Sequence, residues 1–338
     1  MAENVTLTAP GFVDIQVNGF AGVDYNSPET SVAEIGRSLE VIRETGVLRL
    51  LPTVITGPRA EMLAALRNLA RARRDLPNGK MIAGFHVEGP NISSEDGPRG
   101  AHLVDCVRPP DLSEFEAWQE ATEGQVLLVT LSPHWEQAPQ YIERVRKAGT
   151  TVSIGHTHAS APQIQAAVDA GATLSTHLGN GAHRTLPKFP NYIWEQLAED
   201  RLTAGFIADG IHLPDQFLRP ALRAKTPARS ILVTDASSPA GAAPGRYKLG
   251  MQEVDLTADG RVVLAGQERL AGSALKMNDA IAHVIRVAGV SLNDAIEMAT
   301  TQPARAVGLA ERSGTVLFEW NGMHMKIVST SREVDDLH

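Results

Sequence analysis

The sequence is short of cysteine, of basic charge and of long apolar runs, and each shortage excludes something. Cys106 is the only cysteine in 338 residues, so no intrachain disulfide can form, and a reducing compartment fits. Against 39 Asp and Glu stand 31 Lys and Arg, a formal net charge of -8. A binder of nucleic acid or of a membrane surface needs a basic patch, which this balance does not suggest. No stretch approaches the roughly twenty apolar residues of a bilayer span. The opening "MAENVTLTAPGFVD" lacks the basic start and apolar core of a secretory signal. A soluble cytoplasmic protein is therefore expected. What is present, 43% hydrophobic and 21% charged residues, suits a folded chain with a large core, either one big α/β unit or two domains.

Apolar runs of strand length alternate with segments of helical period or long loops. The strand candidates are "GFVDIQVN", "VLRLLPTV", "MIAGFHVEG", "QVLLVTLSP", "TVSIGHTH", "ATLSTHLGN", "LTAGFIADG" and "SILVTDAS". Eight such repeats predict a parallel (β/α)8 barrel in preference to an open doubly wound sheet. Two segments fall outside the pattern. Residues 245–273 alternate like a hairpin with "ADGR" at its turn, an insertion after the eighth strand. Residues 313–329 read as a second hairpin turning at Asn321-Gly322. The expected division is a barrel over 10–310 and a short hairpin and tail over 311–338.

In such a barrel, reactive groups gather at the carboxyl ends of the strands. His86 and Glu88 end the third strand, His156 and His158 the fifth, and His177 the sixth. Asp209 and His212 follow the seventh, and Asp235 ends the eighth. Histidine numbers eleven in the whole chain, yet five fall at these mouths. Glu88, His156 and His177 offer one oxygen and two nitrogens from three strands. Three such ligands with an open fourth position describe a catalytic zinc-type site, since a structural site is closed by four. Alternation points His86 inward beside Glu88, where packing beneath the site is expected of it. His158 already lies in loop and is expected to play no direct part. Asp235 reads either as a turn cap or as a functional carboxylate.

"PGFVDIQVNG", "HVEGP", "GHTHA", "THLGN", "IADGIH", "VTDASSPAG" and "LAGSAL" stand in the order seen in N-acetylglucosamine-6-phosphate deacetylases, of the amidohydrolase superfamily. The chain resembles that family over about residues 10–308. The resemblance implies a (β/α)8 barrel and hydrolysis of the N-acetyl group of an amino-sugar 6-phosphate, releasing acetate. It makes Glu88, His156 and His177 the ligands of a divalent metal ion, zinc in the first place and Fe²⁺ or another ion otherwise. It makes Asp235 the catalytic acid/base, and the absence of an arginine neighbour, which would depress its pKa, suits that role. His102, in "GPRGAHL", matches a histidine that approaches the acetamide. His212 matches one that contacts the sugar phosphate.

Asn180 keeps its family place, and Gly181 leaves a backbone N–H for the phosphate. An arginine that reaches the phosphate from a neighbouring subunit is matched by Lys188, which implies a homodimer. Lysine pairs with phosphate without the bidentate fork, and Arg184 and His183 lie nearby. Gly179 replaces an aromatic. Many amidohydrolases carry His-x-His on the first strand. Gln16-Val-Asn18 stands there instead, which implies one metal ion per subunit rather than two. The family's β-sandwich draws on both termini. Ten residues before the first strand predict that its N-terminal half is absent, with 313–329 the remnant of the other half. Two other readings are a barrel acting on an unphosphorylated N-acyl sugar or other small amide, and a non-catalytic sugar-binding barrel. The presence of Glu88, His156, His177 and Asp235 together argues against the last.

Overall fold

The computed structural model describes residues 4–310 and 314–331. Eight parallel strands pair in chain order: Phe12–Val17, Val47–Ile55, Phe85–Glu88, Val126–Leu131, Thr151–Ile154, Leu174–Ser175, Thr203–Phe206 and Ser230–Leu232. Nearly every residue in these strands is buried, as expected where both faces of a parallel sheet are covered. Helices follow the strands and cover the outside. Their starts carry local signals: Ser31 and Glu34 form a capping box on helix Val32–Arg43, and Asn191 caps helix Tyr192–Ala198. Between the first and eighth strands the ladder gives way to a single parallel bridge, Val17 to Ala236. Beside it, Thr234 Oγ1 donates to Asp14 Oδ2 at 2.6 Å, so a buried hydroxyl and carboxyl help to close the barrel.

The barrel interior beneath the rim is polar, and several of its side chains bond one another. His86 meets Thr130 Oγ1 at 2.8 Å through Nε2 and the Ile15 carbonyl at 3.1 Å through Nδ1. Thr130 and Ser153 each bond Thr176 Oγ1, at 2.7 and 2.6 Å. His86 is thus a packed interior residue, as its position predicted.

Two features differ from the sequence reading. The insertion is a three-stranded antiparallel sheet, Gly245–Leu249, Gln252–Leu256 and Val262–Leu264, rather than a hairpin. Its first turn, at Gly250 and Met251, lacks the Asn-Gly or Asp-Gly signature, so the first two strands read as one alternating run. The Gly250 N–H donates to buried Asp24 Oδ2 at 2.7 Å, which anchors that turn to the barrel. Secondly, the N-terminal half of the terminal sheet is not absent. Val5–Pro10 pairs antiparallel with Thr315–Trp320, which pairs with Met325–Ser331. The tail expected beyond, at 332–338, lies outside the described residues. No helix among the described residues is long and apolar enough to cross a membrane.

Candidate active site

Glu88, His156 and His177 converge at the carboxyl mouth of the barrel. His177 Nε2 lies 3.0 Å and His156 Nε2 3.3 Å from Glu88 Oε1, and the two nitrogens are 3.1 Å apart. All three side chains are buried. His156 Nδ1 faces the Pro98 carbonyl at 2.8 Å, and a carbonyl can only accept. Nδ1 therefore donates to that carbonyl, and Nε2 is the nitrogen turned toward the centre. A carboxylate oxygen and two imidazole nitrogens crowded within 3.3 Å need positive charge among them, and the donor set is that of a divalent transition ion. Within the protein, burial would push Glu88 up, but the hydrogen bonds and charge of the two histidines outweigh it and hold the carboxyl well below its ordinary range.

The backbone at this rim is unusual. His156, His177 and Asp235 have φ of +48°, +26° and +49°, a left-handed region that side-chain-bearing residues seldom occupy. Each sits just past the end of its strand, where the chain turns sharply at the barrel mouth. Such conformations cost of order 1–3 kcal/mol and persist only where the surroundings enforce them, which they do most often at functional sites.

Asp235 is joined to the centre through amides. Gln16 Nε2 donates to Glu88 Oε1 at 2.9 Å and to Asp235 Oδ1 at 3.2 Å, while Asn18 Nδ2 donates to the same Oδ1 at 2.7 Å. With an amide oxygen in either place, it would face a carboxylate oxygen, so the amide orientations are set by repulsion. Gln16 and Asn18 therefore spend their N–H groups on two carboxylates. Asp235 Oδ2 accepts no hydrogen bond from the described residues and remains open to the cavity. Burial, and next the charge of Glu88, push the Asp235 carboxyl up.

Most of the other residues singled out from sequence border the same cavity, of about 520 Å³, a volume suited to a small ligand. His102 Nε2 stands 3.3 Å from His156 Nε2, and its Nδ1 meets Thr56 Oγ1 at 2.9 Å. Burial, reinforced by His156, pushes His102 down to about 3, so it is neutral. His212 Nδ1 pairs with Asp209 Oδ2 at 2.6 Å, leaving Nε2 for a ligand. Asn180 and Gly181 line the cavity; Lys188 does not, its Nζ standing 5.9 Å from the Phe189 ring centroid. His158 lies outside the cavity, bonded to Ser93 Oγ at 2.5 Å.

Some contributors escaped the sequence reading. Arg269, from the insertion's return loop, ion-pairs with Asp96 at 2.6 Å and donates to the Gly100 carbonyl at 2.9 Å, tying down the loop that carries His102. Thr56, one residue past the second strand, could have been found from its strand-end position. The Pro98 carbonyl could not, because a backbone acceptor has no residue-type signal.

A model of the amidohydrolase family matches residues 7–317. The chain is 35% identical to an N-acetylglucosamine-6-phosphate deacetylase of Danio rerio over 326 residues, 92% of this chain and 78% of the relative. It is 33% identical to an N-acetylgalactosamine-6-phosphate deacetylase of Escherichia coli over 91% of this chain and 80% of the relative. The crystal structure of N-acetyl-D-glucosamine-6-phosphate deacetylase from Mycobacterium smegmatis superposes with a TM-score of 0.89 at 29% identity, covering 97% of this chain and 86% of that one. The chain belongs to the amidohydrolase family.

Proposed function

We propose that this chain hydrolyses the N-acetyl group of an amino-sugar 6-phosphate, N-acetylglucosamine 6-phosphate in the first place, releasing acetate and the free amine. The observation that carries the reading is the pairing of an open-sided Glu88–His156–His177 centre with a carboxylate, Asp235, whose Oδ2 is free. A divalent ion held by the three ligands, zinc first and Fe²⁺ or another ion otherwise, supplies Lewis acidity toward water and the amide carbonyl. One ion per subunit suits the site, because Gln16 and Asn18 present N–H groups rather than lone pairs toward the carboxylates.

Asp235 accepts the proton of the attacking water at Oδ2 and returns it to the leaving nitrogen as the C–N bond breaks. Gln16 and Asn18 hold Oδ1 throughout, so the carboxylate cannot rotate away. Neutral His102, held by Thr56, is placed to meet the acetamide. His212, Asn180 and the Gly181 amide face the sugar phosphate from the sixth and seventh strand ends.

A homodimer belongs to the same proposal. Phe189 and Trp194 leave large apolar side chains exposed, and Lys188 stands outside its own chain's cavity, so any contact it makes with substrate would cross a subunit boundary. Light scattering checks the assembly. The activity is tested by acetate release from a panel of phosphorylated and free N-acetylhexosamines of both gluco and galacto configuration. The reading expects turnover of a 6-phosphate, abolished by a chelator; turnover of free sugars alone favours the unphosphorylated-substrate alternative.

A further inference from the structure

We infer that Ile55 and Leu249 form the wall that sets which acyl groups this chain removes, admitting acetyl and turning away longer chains. The inference rests on the deacetylase reading above and adds a size limit to the same site. Ile55 ends the second barrel strand and pairs with Glu88 across the ladder, so it stands beside the metal centre. The next residue, Thr56, holds His102 Nδ1 through Oγ1 at 2.9 Å. His102 is the side chain placed to meet the acetamide, so the acyl end of the substrate lies on this flank of the cavity. The sugar phosphate, facing the sixth and seventh strand ends, lies on the other. A planar trans amide sends its acyl chain and its nitrogen substituent in opposite directions, which fits that division.

On this flank the wall is apolar and fixed. Leu249, from the insertion's first strand, belongs to a buried cluster with Ala271, and Ile55 and Ala101 pack against it. Both chain neighbours of Leu249 are tied down. The Lys248 carbonyl accepts from Ser238 Oγ, and the Gly250 N–H donates to Asp24 Oδ2 at 2.7 Å. Its strand partner Gln252 donates through Nε2 to the Ala101 carbonyl at 2.8 Å, one residue before His102. Behind this wall lies a second cavity, of about 30 Å³, bordered by Val54, Met62 and Leu103 among others. Ile55 and Leu249 border both cavities and so form the partition between them. The space behind exceeds the roughly 10–15 Å³ that one water-sized group needs, so a shorter partition opens room for further methylenes.

The test compares kcat/KM for glucosamine 6-phosphate carrying an N-acetyl, N-propionyl or N-butyryl group. In each, water adds to the acyl carbonyl and the C–N bond breaks, so release of the free amine follows all three alike. Wild type, Leu249→Ala, Leu249→Val, Ile55→Val and Ile207→Val are compared, the last on the cavity's seventh-strand side. The propionyl-to-acetyl ratio is the readout, because any loss of folded enzyme lowers both rates equally. One methylene too many predicts a preference for acetyl on the order of ten- to hundred-fold in wild type. Leu249→Ala should raise the ratio on the order of tenfold and bring butyryl into range. Leu249→Val and Ile55→Val should raise it less, and Ile207→Val should leave it unchanged. A wild-type ratio near one, an unmoved ratio in Leu249→Ala, or an equal rise in Ile207→Val overturns the inference. If none of the three substrates releases amine, the deacetylase reading fails, and the same ranking taken as calorimetric affinities still decides the size limit.

Discussion

Asp14→Asn tests the barrel's closure through a buried carboxyl. Asp14 is 2% exposed, and its oxygens accept from Thr234 Oγ1 at 2.6 Å and from the Thr234 and Gln16 amides at 3.3 Å. Burial pushes its pKa from 3.8 up to about 7, against the opposing pull of those hydrogen bonds. The folded chain thus holds a proton that the unfolded chain has released over the interval between those values. Stability from this group is complete below the unfolded pKa and is lost as pH rises through the folded one. At about 1.4 kcal/mol per pH unit the whole interval amounts to at most about 4 kcal/mol, of which about 2–3 falls between about pH 5 and pH 8. Asparagine keeps the size and can still bond Thr234 but does not titrate. In urea unfolding at the two pH values, the variant should therefore gain about 2–3 kcal/mol on wild type as pH rises. A difference between the two proteins that does not change with pH would refute the reasoning.

Asp235→Asn should lower kcat by about 10²–10⁴-fold while metal content stays at the wild-type level; near wild-type turnover would remove its role as proton carrier. Gly155→Ala should cost about 1–3 kcal/mol in chemical denaturation, because packing there is already tight. Its Cβ would meet Thr130 Cγ2 and Thr176 Cβ at 2.7 Å, inside the barrel; unchanged stability would mean that those threonines move freely.

The eight barrel strands were legible because parallel strands covered on both faces are written as short continuous apolar runs. Their order alone puts Glu88, His156, His177 and Asp235 on one rim. Val5–Pro10 was not legible, since five of its six residues are exposed and its pairing is with Thr315–Trp320 at the far end of the chain. Arg269 was hidden for a related reason: its partner Asp96 lies 173 positions away, and nothing local distinguishes it from a solvated arginine. Gln16 and Asn18 stand out in the sequence as amides, but only the geometry shows Gln16 donating to both Glu88 and Asp235, and Asn18 to Asp235. Lys188 is legible only through its place in the motif order; in the fold its Nζ stands 5.9 Å from the Phe189 ring centroid, outside its own chain's cavity.

The central claim is that one ion at Glu88, His156 and His177 supports hydrolysis of the acetamide. Its most direct test is to strip the protein of metal and add back a divalent ion in steps while following acetate release from N-acetylglucosamine 6-phosphate. The account predicts no release from the stripped protein, a linear rise to one ion per chain, and a plateau beyond it. Acetate release that persists without metal, or that continues to climb to two ions per chain, would contradict it.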